Sequence, residues 1–389
     1  MGAPSFARVL AGLAVAALAL GLGLTFGLRG LASDEPGVAT RLGLLDQRAG
    51  PLVVFSEFGE TADTLWAANP DDPQDRVQLG RVEHALGYGI SPALSPDGAR
   101  IAYTVLPPAA ARPSVATPAE LWLLDIDDGS SRRLAEDLDL LGAPVWSPAS
   151  DAILVRRVLW GADGSVSSEL LRIDLSGEAT RVASAEAALF AIDFSPDGAW
   201  LYYAVATPEG TELARGSALG GGEAETVAHL SDGVARDWHL SPDGSQLAYL
   251  AQAPDDAEVA FVVRVLDLQT GEVAAPLADD GSARFNPLWE RTGVLTVGRI
   301  DGGGGPARLN VDGARTALQA TLPSPPPAGF DVPLSWSPDG THLAVRSFER
   351  ASVADPGPSR VAVVSTNAAR HELSQSSDVT IVGWLEAMP

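Results

Sequence analysis

Histidine is the residue best suited to metal binding in this 389-residue chain, and its five copies do not form a metal-binding motif. They are scattered, and no His-Glu-x-x-His pattern occurs; the five are His84, His229, His239, His342 and His371. A folded chain could bring several of them to one face, but a metal site needs ligands that converge on one point. The absence of cysteine also excludes thiolate ligands and disulfides. The sequence therefore predicts no metal and no other cofactor.

Motifs for nucleophilic catalysis and phosphate binding are also missing from the sequence. No Gly-x-Ser-x-Gly elbow occurs, and a Gly-x-x-x-x-Gly-Lys loop is impossible because all 26 basic residues are arginine. Residues 125–129, with three aspartates, are similar to the start of a calcium-binding loop. They lack the glutamate at the twelfth position of such a loop, and they fall where a hairpin turn is expected. We therefore expect no catalytic residue and a protein that is not an enzyme.

A ten-residue pattern repeats through nearly the whole chain and must position any functional site. Its fullest copy is Trp-Ser-Pro-Asp-Gly-Thr-His-Leu-Ala-Val at residues 336–345. Counted from the residue after the aromatic or apolar anchor, the copies, whole or altered, begin at positions 95, 147, 195, 241, 290, 337 and 385. The intervals between successive copies are 46 to 52 residues. A period of about 40 to 50 residues is typical of a propeller or a solenoid.

Each copy predicts two strands joined by a tight turn. Proline fixes φ at the first central position of the turn, serine and aspartate bond nearby backbone groups, and glycine accepts a positive φ. A longer apolar strand, such as residues 262–268, a polar glycine turn and a fourth short strand follow. Four short strands joined by hairpin turns make one propeller blade. The anchor tryptophans are expected to pack between neighbouring blades; they are Trp146, Trp289, Trp336 and Trp384.

The pattern Trp-Ser-Pro-Asp-Gly-x-x-Leu-Ala-Tyr, followed by an apolar strand that ends in Asp-x-x-x-Gly, resembles the repeat of TolB-type β-propellers, which are relatives of WD-repeat proteins. The resemblance covers roughly residues 51 to 386 and implies an all-β fold. It says little about activity, since such blades occur in binding proteins, in peptidase gating domains and in some lyases. In TolB itself the propeller resembles a docking platform for envelope proteins. This chain departs from that pattern because it lacks the preceding α/β domain and adds an apolar N-terminal segment.

The two ends of the repeat region predict how the ring closes. Residues 52–58, 64–68 and 76–79 form a second, a third and a fourth strand with no first strand before them, and residues 379–384 form a first strand with no blade after it. Pairing the two ends completes a seventh blade and removes exposed sheet edges. We therefore predict a seven-bladed β-propeller closed by its C-terminal strand, with blades at roughly 52–80 with 379–386, 88–136, 140–184, 188–230, 234–279, 283–321 and 328–374.

The N-terminal region predicts a membrane anchor. Residues 9–28 are an unbroken apolar run of 20 residues, and 20 helical residues span about 30 Å, the thickness of the hydrocarbon core of a bilayer. We expect a short segment at 1–8, one transmembrane helix at 9–28, a polar tether at 29–50 and the propeller at 51–389.

Charges beside this run predict the location of the propeller. Arg8 and the amino terminus precede the run, whereas Asp34 and Glu35 follow it, which favours a propeller outside the cytoplasm, as in a periplasmic protein. The run is longer than the usual apolar region of a signal peptide, so we expect retention in the cell membrane. The alternative is cleavage near residues 30–35, which would give a secreted protein.

The net charge of −24 limits the partners of the propeller surface. Nucleic-acid phosphates and anionic lipid headgroups are repelled by an acidic shell. We therefore expect no nucleic acid as a partner, and contact with the membrane only through the N-terminal helix.

The mouth of the central channel is the predicted binding site. The first strand of each blade lies nearest the axis, so residues three to six positions before an anchor line the mouth. In three late blades and one early blade, these positions hold arginine, aspartate, asparagine and aromatic residues: Tyr88, Arg236, Asp237, Arg284, Phe285, Asn286, Phe330 and Asp331. The alternative is that they are ordinary rim residues. We expect a module that binds an envelope protein or a small ligand; the alternative is a propeller enzyme, similar to a polysaccharide lyase or a hydrolase, with its substrate in the funnel.

Overall fold

The computed structural model describes residues 50–386 except for 111–112, 114–116, 162–164, 254–260, 278–281, 313–314 and 323–328. The predicted N-terminal segment, the transmembrane helix and all but the last residue of the tether lie outside the described residues. Within the described ranges, no helix is long and apolar enough to cross a bilayer.

The described residues form seven antiparallel sheets of four strands each, the blades of a β-propeller. Blade 1 has the order β28-β1-β2-β3, and blades 2 to 7 each take four consecutive strands, from β4–β7 to β24–β27. The strands are β1 Leu52–Glu57, β2 Ala62–Asn69, β3 Asp72–Glu83, β4 Ser91–Leu94, β5 Arg100–Val105, β6 Ala119–Asp125, β7 Ser131–Leu138, β8 Val145–Trp146, β9 Ala152–Trp160, β10 Val166–Asp174, β11 Ala179–Ala185, β12 Ala188–Phe194, β13 Trp200–Thr207, β14 Gly210–Ser217, β15 Glu225–Ser231, β16 Ala235–Leu240, β17 Gln246–Gln252, β18 Phe261–Asp267, β19 Val273–Ala274, β20 Arg284–Trp289, β21 Leu295–Arg299, β22 Ala307–Asp312, β23 Arg315–Thr321, β24 Phe330–Trp336, β25 His342–Phe348, β26 Ser359–Ser365, β27 Arg370–Glu372 and β28 Val379–Leu385.

Blade 1 confirms the predicted closure of the ring. The C-terminal strand β28 pairs antiparallel with β1, so that Trp384 lies opposite Val53 and Ile381 lies opposite Phe55. The first described strand thereby gains a partner on both edges, because β2 pairs with its other edge. Because this sheet is built from both ends of the domain, both edges of β1 are paired, as closure of the ring requires.

The Ser-Pro-Asp-Gly turns have the predicted hydrogen bonds. In the copy that starts at Ser241, the Ser241 hydroxyl donates to Asp243 Oδ1 at 2.7 Å and accepts the Gln246 N–H at 2.9 Å. The hydrogen bond from the Ser241 hydroxyl, together with one from the Ser245 N–H, lowers the pKa of Asp243. Gly244 has φ of 72°, a conformation that only glycine adopts at little cost. The turn is therefore held by hydrogen bonds among its own residues.

The hydrophobic core lies between the blades. One cluster joins blade 1, through Leu52, Val54 and Leu65, to blade 2, through Ile101 and Leu124, and all five side chains are at most 5% exposed. Full burial of such a side chain stabilises the fold by about 1.5–3 kcal/mol.

Three of the four anchor tryptophans also hydrogen-bond the preceding blade, as their predicted packing requires. Trp146 Nε1 donates to the Ala93 carbonyl at 3.0 Å, Trp289 Nε1 to the His239 carbonyl at 3.1 Å, and Trp336 Nε1 to Thr296 Oγ1 at 3.1 Å. Trp384 is equally buried, but its Nε1 has no acceptor among the described residues.

Blade 6 departs from the repeat because Glu290 stands where other blades have the motif serine. Its carboxylate is buried and accepts two hydrogen bonds from Arg308, from Nε at 2.7 Å and from Nη2 at 2.6 Å. The Thr296 hydroxyl donates to the same carboxylate at 3.1 Å, and the Arg308 guanidinium lies over the Trp336 ring. A paired and hydrogen-bonded charge therefore replaces the serine turn at this position.

The ring has two faces that differ in the connections they carry. Because successive strands alternate in direction, the turns that follow each first and each third strand lie on one face, which we term the turn face. The connections from second to third strands, and from each fourth strand to the next blade, lie on the opposite face, which we term the loop face. Leu52 pairs with Leu385 at the turn face, so both ends of the described chain leave the ring there. The predicted channel mouth belongs to the loop face, where the inner strands begin.

Candidate functional site

The inner strands of blades 5 and 6 contain β-bulges at the predicted channel mouth. In β16, Arg236 pairs with Leu250 and His239 with Ala248, so that Asp237 and Trp238 both lie opposite Tyr249. Asp237 has φ of 53°. A bulge of this kind bends the strand and changes the direction of its side chains.

Blade 6 repeats this arrangement at the equivalent position. In β20, Phe285 pairs with Gly298 and Leu288 with Thr296, and the bulge contains Asn286, which has φ of 35°. Aspartate and asparagine are among the non-glycine residues that tolerate a positive φ best. Their presence at both bulges explains part of the polar composition that the sequence shows at the channel mouth.

A partly buried hydrogen-bonded bridge joins the inner strands of blades 5, 6 and 7. Asn286 Nδ2 donates to the Pro333 carbonyl at 2.6 Å, which directs Asn286 Oδ1 toward His239 Nε2 at 3.0 Å. His239 Nε2 therefore carries a proton and donates it to Asn286. Burial lowers the pKa of His239, so its ring is neutral near pH 7. The bridge fixes three neighbouring inner strands without a net charge.

Arg236 and Trp238, two positions apart on β16, each bury a polar atom that has no acceptor among the described residues. These atoms are Arg236 Nε and Trp238 Nε1. The Arg236 guanidinium lies 4.3 Å from the centre of the Phe261 ring and 3.7 Å from Asp237 Oδ2. The Trp238 ring contacts the Phe190 ring of blade 4 at 5.7 Å. Each side chain thus packs against an aromatic ring and keeps one buried donor nitrogen without an acceptor among the described residues.

Arg284 and Asp331, two of the predicted mouth residues, are buried in ion pairs. Arg284 is 5% exposed, and its Nη1 lies 3.0 Å from Asp301 Oδ1. Asp331 is fully buried, where it accepts hydrogen bonds from Arg370 and from the Ser347 hydroxyl. Burial raises the pKa of Asp331, and the Arg370 charge opposes that shift. Arg284 therefore ties β20 to a loop of blade 6, and Asp331 ties three strands of blade 7 together.

Phe285 and Phe330 form an aromatic stack between blades 6 and 7. The Phe285 and Phe330 rings lie 4.8 Å apart, and the Phe330 and Phe348 rings are also 4.8 Å apart. Both predicted residues are at most 5% exposed. Their aromatic character is thus used in packing beneath the loop face.

Tyr88 stands apart from the other seven predicted residues. It lies in the connection from blade 1 to blade 2, and its hydroxyl donates to the Pro113 carbonyl at 3.0 Å. The structure therefore brings Arg236, Asp237 and Asn286 to one side of the channel mouth and leaves them, like Tyr88, partly exposed. Ligand binding by the eight residues stays a prediction, and these four carry it.

Asp193 is an inner-strand carboxyl group that the sequence analysis did not single out. It lies one position before the anchor Phe194, whose N–H donates to Asp193 Oδ1 at 2.7 Å. Burial raises the pKa of Asp193 to about 6. The sequence signal for Asp193 was its position one residue before an anchor. It was missed because the candidate residues were counted from three to six positions before each anchor.

Five exposed apolar side chains lie on the loop face of blades 1 to 3, and sequence analysis missed them. They are Phe58 (37% exposed), Leu86 (63%), Leu141 (59%), Leu159 (41%) and Trp160 (55%), which we term the apolar arc. Contiguous exposed apolar side chains with polar neighbours are typical of interaction sites.

The hairpin of β9 and β10 raises part of the arc above the ring. In blade 2, β5 ends at Val105, four residues after Ile101, which pairs with the anchor Leu94. In blade 3, β9 ends at Trp160, seven residues after the equivalent Ile153. Three additional residues extend the strand by about 10 Å. Trp160, paired with Val166, therefore stands near the tip of a projecting hairpin.

A pattern in the loops could have revealed the arc. Four of its residues stand directly before a glycine in the loop-face connections: Phe58-Gly59, Leu86-Gly87, Leu141-Gly142 and Trp160-Gly161. In blades 4 to 6, the comparable pairs have an acidic residue instead: Glu209-Gly210, Asp232-Gly233 and Asp301-Gly302. Before these glycines the loop face therefore carries apolar residues in blades 1 to 3 and acidic residues in blades 4 to 6.

The described residues contain no group of three or more histidine and acidic side chains placed to hold a metal ion. His84 and His239 lie in different blade junctions, while His229 and His371 belong to outer strands. The histidines therefore serve separate parts of the ring in the described structure.

No family model matches the sequence, and no curated protein matches it. Solved structures with a similar shape include TolB from Acinetobacter baumannii, with 18% identity and a TM-score of 0.49 over 86% of this chain and 66% of that chain. This chain thus spans slightly less than two thirds of that protein. A TM-score of this size does not support an argument about function.

Two further similar structures are enzymes or parts of enzymes. Acylaminoacyl peptidase from Pyrococcus horikoshii has 14% identity and a TM-score of 0.52 over 84% of this chain and 52% of that chain. An oligogalacturonate lyase in complex with manganese has 14% identity and a TM-score of 0.52 over 83% of this chain and 85% of that chain. Identities this low show a shared fold alone. The shared fold is the β-propeller, and in this chain four of the seven blades carry a full Ser-Pro-Asp-Gly turn, which resembles the TolB-type repeat.

Proposed function

We propose that this chain is a membrane-anchored propeller outside the cytoplasm that binds another component of the cell envelope through its loop face. The observation that carries this proposal is the apolar arc, which exposes five large apolar side chains on that face. Such exposure is costly in water and is typical of surfaces that bind a partner. Both ends of the described chain leave from the turn face, so a membrane tether joined to residue 50 would leave the loop face accessible.

The anchor part of this proposal rests on the apolar run at residues 9–28. Extraction of native membranes with alkaline carbonate, followed by sequencing of the mature amino terminus, tests it. We expect the chain to stay in the membrane pellet with its first residues intact. Release into the supernatant with a new terminus near residues 30–35 would instead support a secreted propeller. Protease added outside intact cells or spheroplasts should digest the propeller, whereas protection would contradict the orientation.

The binding part is tested by crosslinking from the loop face of the full chain in native membranes. A photoreactive residue at Leu86 should capture a specific envelope component, which mass spectrometry then identifies. The same residue at Leu219, an equally exposed apolar position outside the loop face, should not capture it. Failure at every loop-face position tested would contradict a binding role for this face.

A second candidate function is a propeller enzyme with its substrate in the central funnel. The pKa of Asp193, raised to about 6 by burial, favours this alternative because a carboxyl group that titrates near neutral pH can serve as a general acid. Purified full-length chain is tested on polysaccharide and peptide substrates beside the Asp193→Asn variant. Turnover that the variant loses supports an enzyme, whereas equal turnover by both chains would exclude Asp193 from it.

A further inference from the structure

We propose that the apolar arc is a docking surface for a basic protein segment that also presents apolar side chains. This inference rests on the proposed function, because it names the chemistry of the partner that the loop face would bind. It concerns the half of the loop face over blades 1 to 3, opposite the polar mouth residues of blades 5 to 7.

The structure brings the arc residues of blades 1 and 2 together. The Gly87 N–H donates to the Glu60 carbonyl at 2.9 Å, which joins the loop that holds Leu86 to the loop that holds Phe58. The Phe58 ring also stacks on the His84 ring, with 5.7 Å between centres. The loops that hold the exposed Phe58 and Leu86 are therefore joined at the junction of the two blades.

The remaining arc residues adjoin each other at blade 3. A Cβ on Gly142 would lie 3.5 Å from Arg156 Cβ, so the loop that holds Leu141 packs against β9. Leu159 and Trp160 lie at the end of that same strand. The arc thus consists of two groups of exposed apolar side chains on the loop face, one at the junction of blades 1 and 2 and one at the junction of blades 2 and 3.

The loops of the first group are held rigidly. Asp63 is buried and accepts two backbone hydrogen bonds. One comes from the N–H of Gly59, next to Phe58, at 3.2 Å, and the other from the N–H of Ile90, in the loop that holds Leu86, at 2.9 Å. Asp63 also lies 3.0 Å from His84 Nε2. A preorganised surface loses little conformational freedom on binding, which favours its use as an interface.

The charges beside the arc favour a basic partner. Glu60, Glu83 and Asp137 are exposed in the loops and strand ends next to it and outnumber the exposed Arg81 of the same region. The whole chain carries a net charge of −24, which attracts cationic partners over longer distances. The same charge repels an anionic bilayer, and the arc lies on the face opposite the point where residue 50 joins the ring. A cationic protein segment with apolar side chains fits both properties of this surface.

A pair of fluorescent peptides tests this chemistry directly. Both peptides have 14 residues and the same pattern of leucine and alanine; one carries lysine at its polar positions and the other glutamate. Binding is measured by anisotropy with the full-length chain in phosphatidylcholine nanodiscs, beside empty nanodiscs. We expect the lysine peptide to bind, more weakly at 300 mM than at 50 mM NaCl, and the glutamate peptide not to bind. No binding of the lysine peptide, or equal binding of both, would overturn the proposal.

Two triple variants locate the binding surface. The arc variant carries Leu86→Ser, Leu141→Ser and Trp160→Ser, and the control carries Leu219→Ser, Val273→Ser and Leu318→Ser at exposed apolar positions elsewhere. All six substitutions replace exposed side chains, so we expect both variants to fold. An unchanged melting temperature verifies this. We expect the arc variant to bind the lysine peptide at least tenfold more weakly and the control within twofold of the natural chain. Equal losses in both variants would contradict docking at the arc.

Other occupants of the arc give different results. Arc-dependent sedimentation with phosphatidylglycerol vesicles would assign the surface to a bilayer, and a dimer lost only in the arc variant would assign it to a second copy; each outcome overturns the proposed partner. Photocrosslinking to an envelope protein from positions 209 or 232, but not from 86 or 141, would keep the proposed binding function and reject the arc as its site.

Discussion

Two buried histidines hold opposite sides of the loop face, and hydrogen bonding gives them different charges. His84 Nδ1 lies 2.9 Å from the Ala85 carbonyl and Nε2 lies 3.0 Å from the Asp63 carboxylate, and because both oxygens accept hydrogen bonds, this arrangement favours the imidazolium form of the ring. His239 donates only from Nε2, to the amide oxygen of Asn286, and stays neutral. Burial disfavours the charged form at both positions.

The difference shows that the partner, and not the depth of burial, decides the charge of a histidine in this ring. Burial alone would lower the pKa of His84, but hydrogen bonds to Asp63 and to the Ala85 carbonyl and the Asp63 charge raise it. For His239 burial prevails, and the pKa falls. The charged pair lies directly beneath Phe58 and Leu86 of the apolar arc, while the neutral bridge supports the polar mouth of blades 5 to 7.

The largest effect is expected from removing the carboxylate of the charged pair. Asp63→Ala leaves the buried His84 ring without its counter-ion and two backbone N–H groups without their acceptor, and should lower the free energy of unfolding by about 3–5 kcal/mol. Urea denaturation measures this change. Asp232→Ala is the matched control, because Asp232 pairs with His229 at 2.9 Å on the surface and should show little change. Equal effects of the two substitutions would contradict the role assigned to burial.

The neutral bridge should give a smaller loss. Asn286→Ala leaves His239 Nε2 without its acceptor and the Pro333 carbonyl without its donor, which should cost about 1–3 kcal/mol of unfolding free energy. Asn286→Gly removes the same hydrogen bonds but accepts φ of 35° without strain. We expect the glycine variant to be more stable than the alanine variant. If both variants match the natural chain, the bridge has no structural role.

Part of the fold could be predicted from the sequence, whereas the buried pairs that distinguish the two histidines could not. The blades and their closure follow from local chemistry, because each Ser-Pro-Asp-Gly turn is fixed by its own side chains and recurs with a regular period. The His84–Asp63 pair joins a residue near the start of β2 to the residue after β3, 21 positions apart, which no repeat indicates. Glu290 looked like a decayed motif, yet its partner Arg308 on β22 restores the turn.

Burial at the channel mouth was the other property hidden from the sequence. Counting back from the anchors located the inner strands correctly, but it could not distinguish Arg236, which is partly exposed, from Asp331, which is enclosed by Ser347 and Arg370. Those contacts depend on how strands within a blade twist and pack. The apolar arc was hidden from the sequence for a different reason. Its residues belong to two kinds of connection, from second to third strands and from one blade to the next, and only the topology shows that both kinds lie on one face.

The pH dependence of stability should have opposite signs at the two histidines. The raised pKa of His84 means that its contribution is fully present below 6.5, the unfolded value, and is lost as pH rises through the folded value. The lowered pKa of His239 means that its contribution is present above 6.5 and is lost as pH falls through the folded value. Urea denaturation of His84→Gln and His239→Gln from pH 5 to pH 9, beside the natural chain, measures both differences.

We expect the stability lost in His84→Gln to shrink on the alkaline side of that range, and the stability lost in His239→Gln to shrink on the acidic side. NMR titration of the two imidazole rings gives the same answer independently. Two differences that change in the same direction with pH would refute the assignment of opposite charges.

The smallest effect links the charged pair to the apolar arc. Phe58 stacks on His84 with an angle of 12° between the ring planes, so its π face contacts the imidazolium. Phe58→Leu keeps an apolar side chain but removes this contact, and should cost about 0.5–1 kcal/mol at a pH where His84 is charged. Urea denaturation at pH 6 and pH 9 should show the loss only at the lower pH. In a His84→Gln background the same substitution should have no pH-dependent effect; a loss that persists there would mean that Phe58 acts through packing alone.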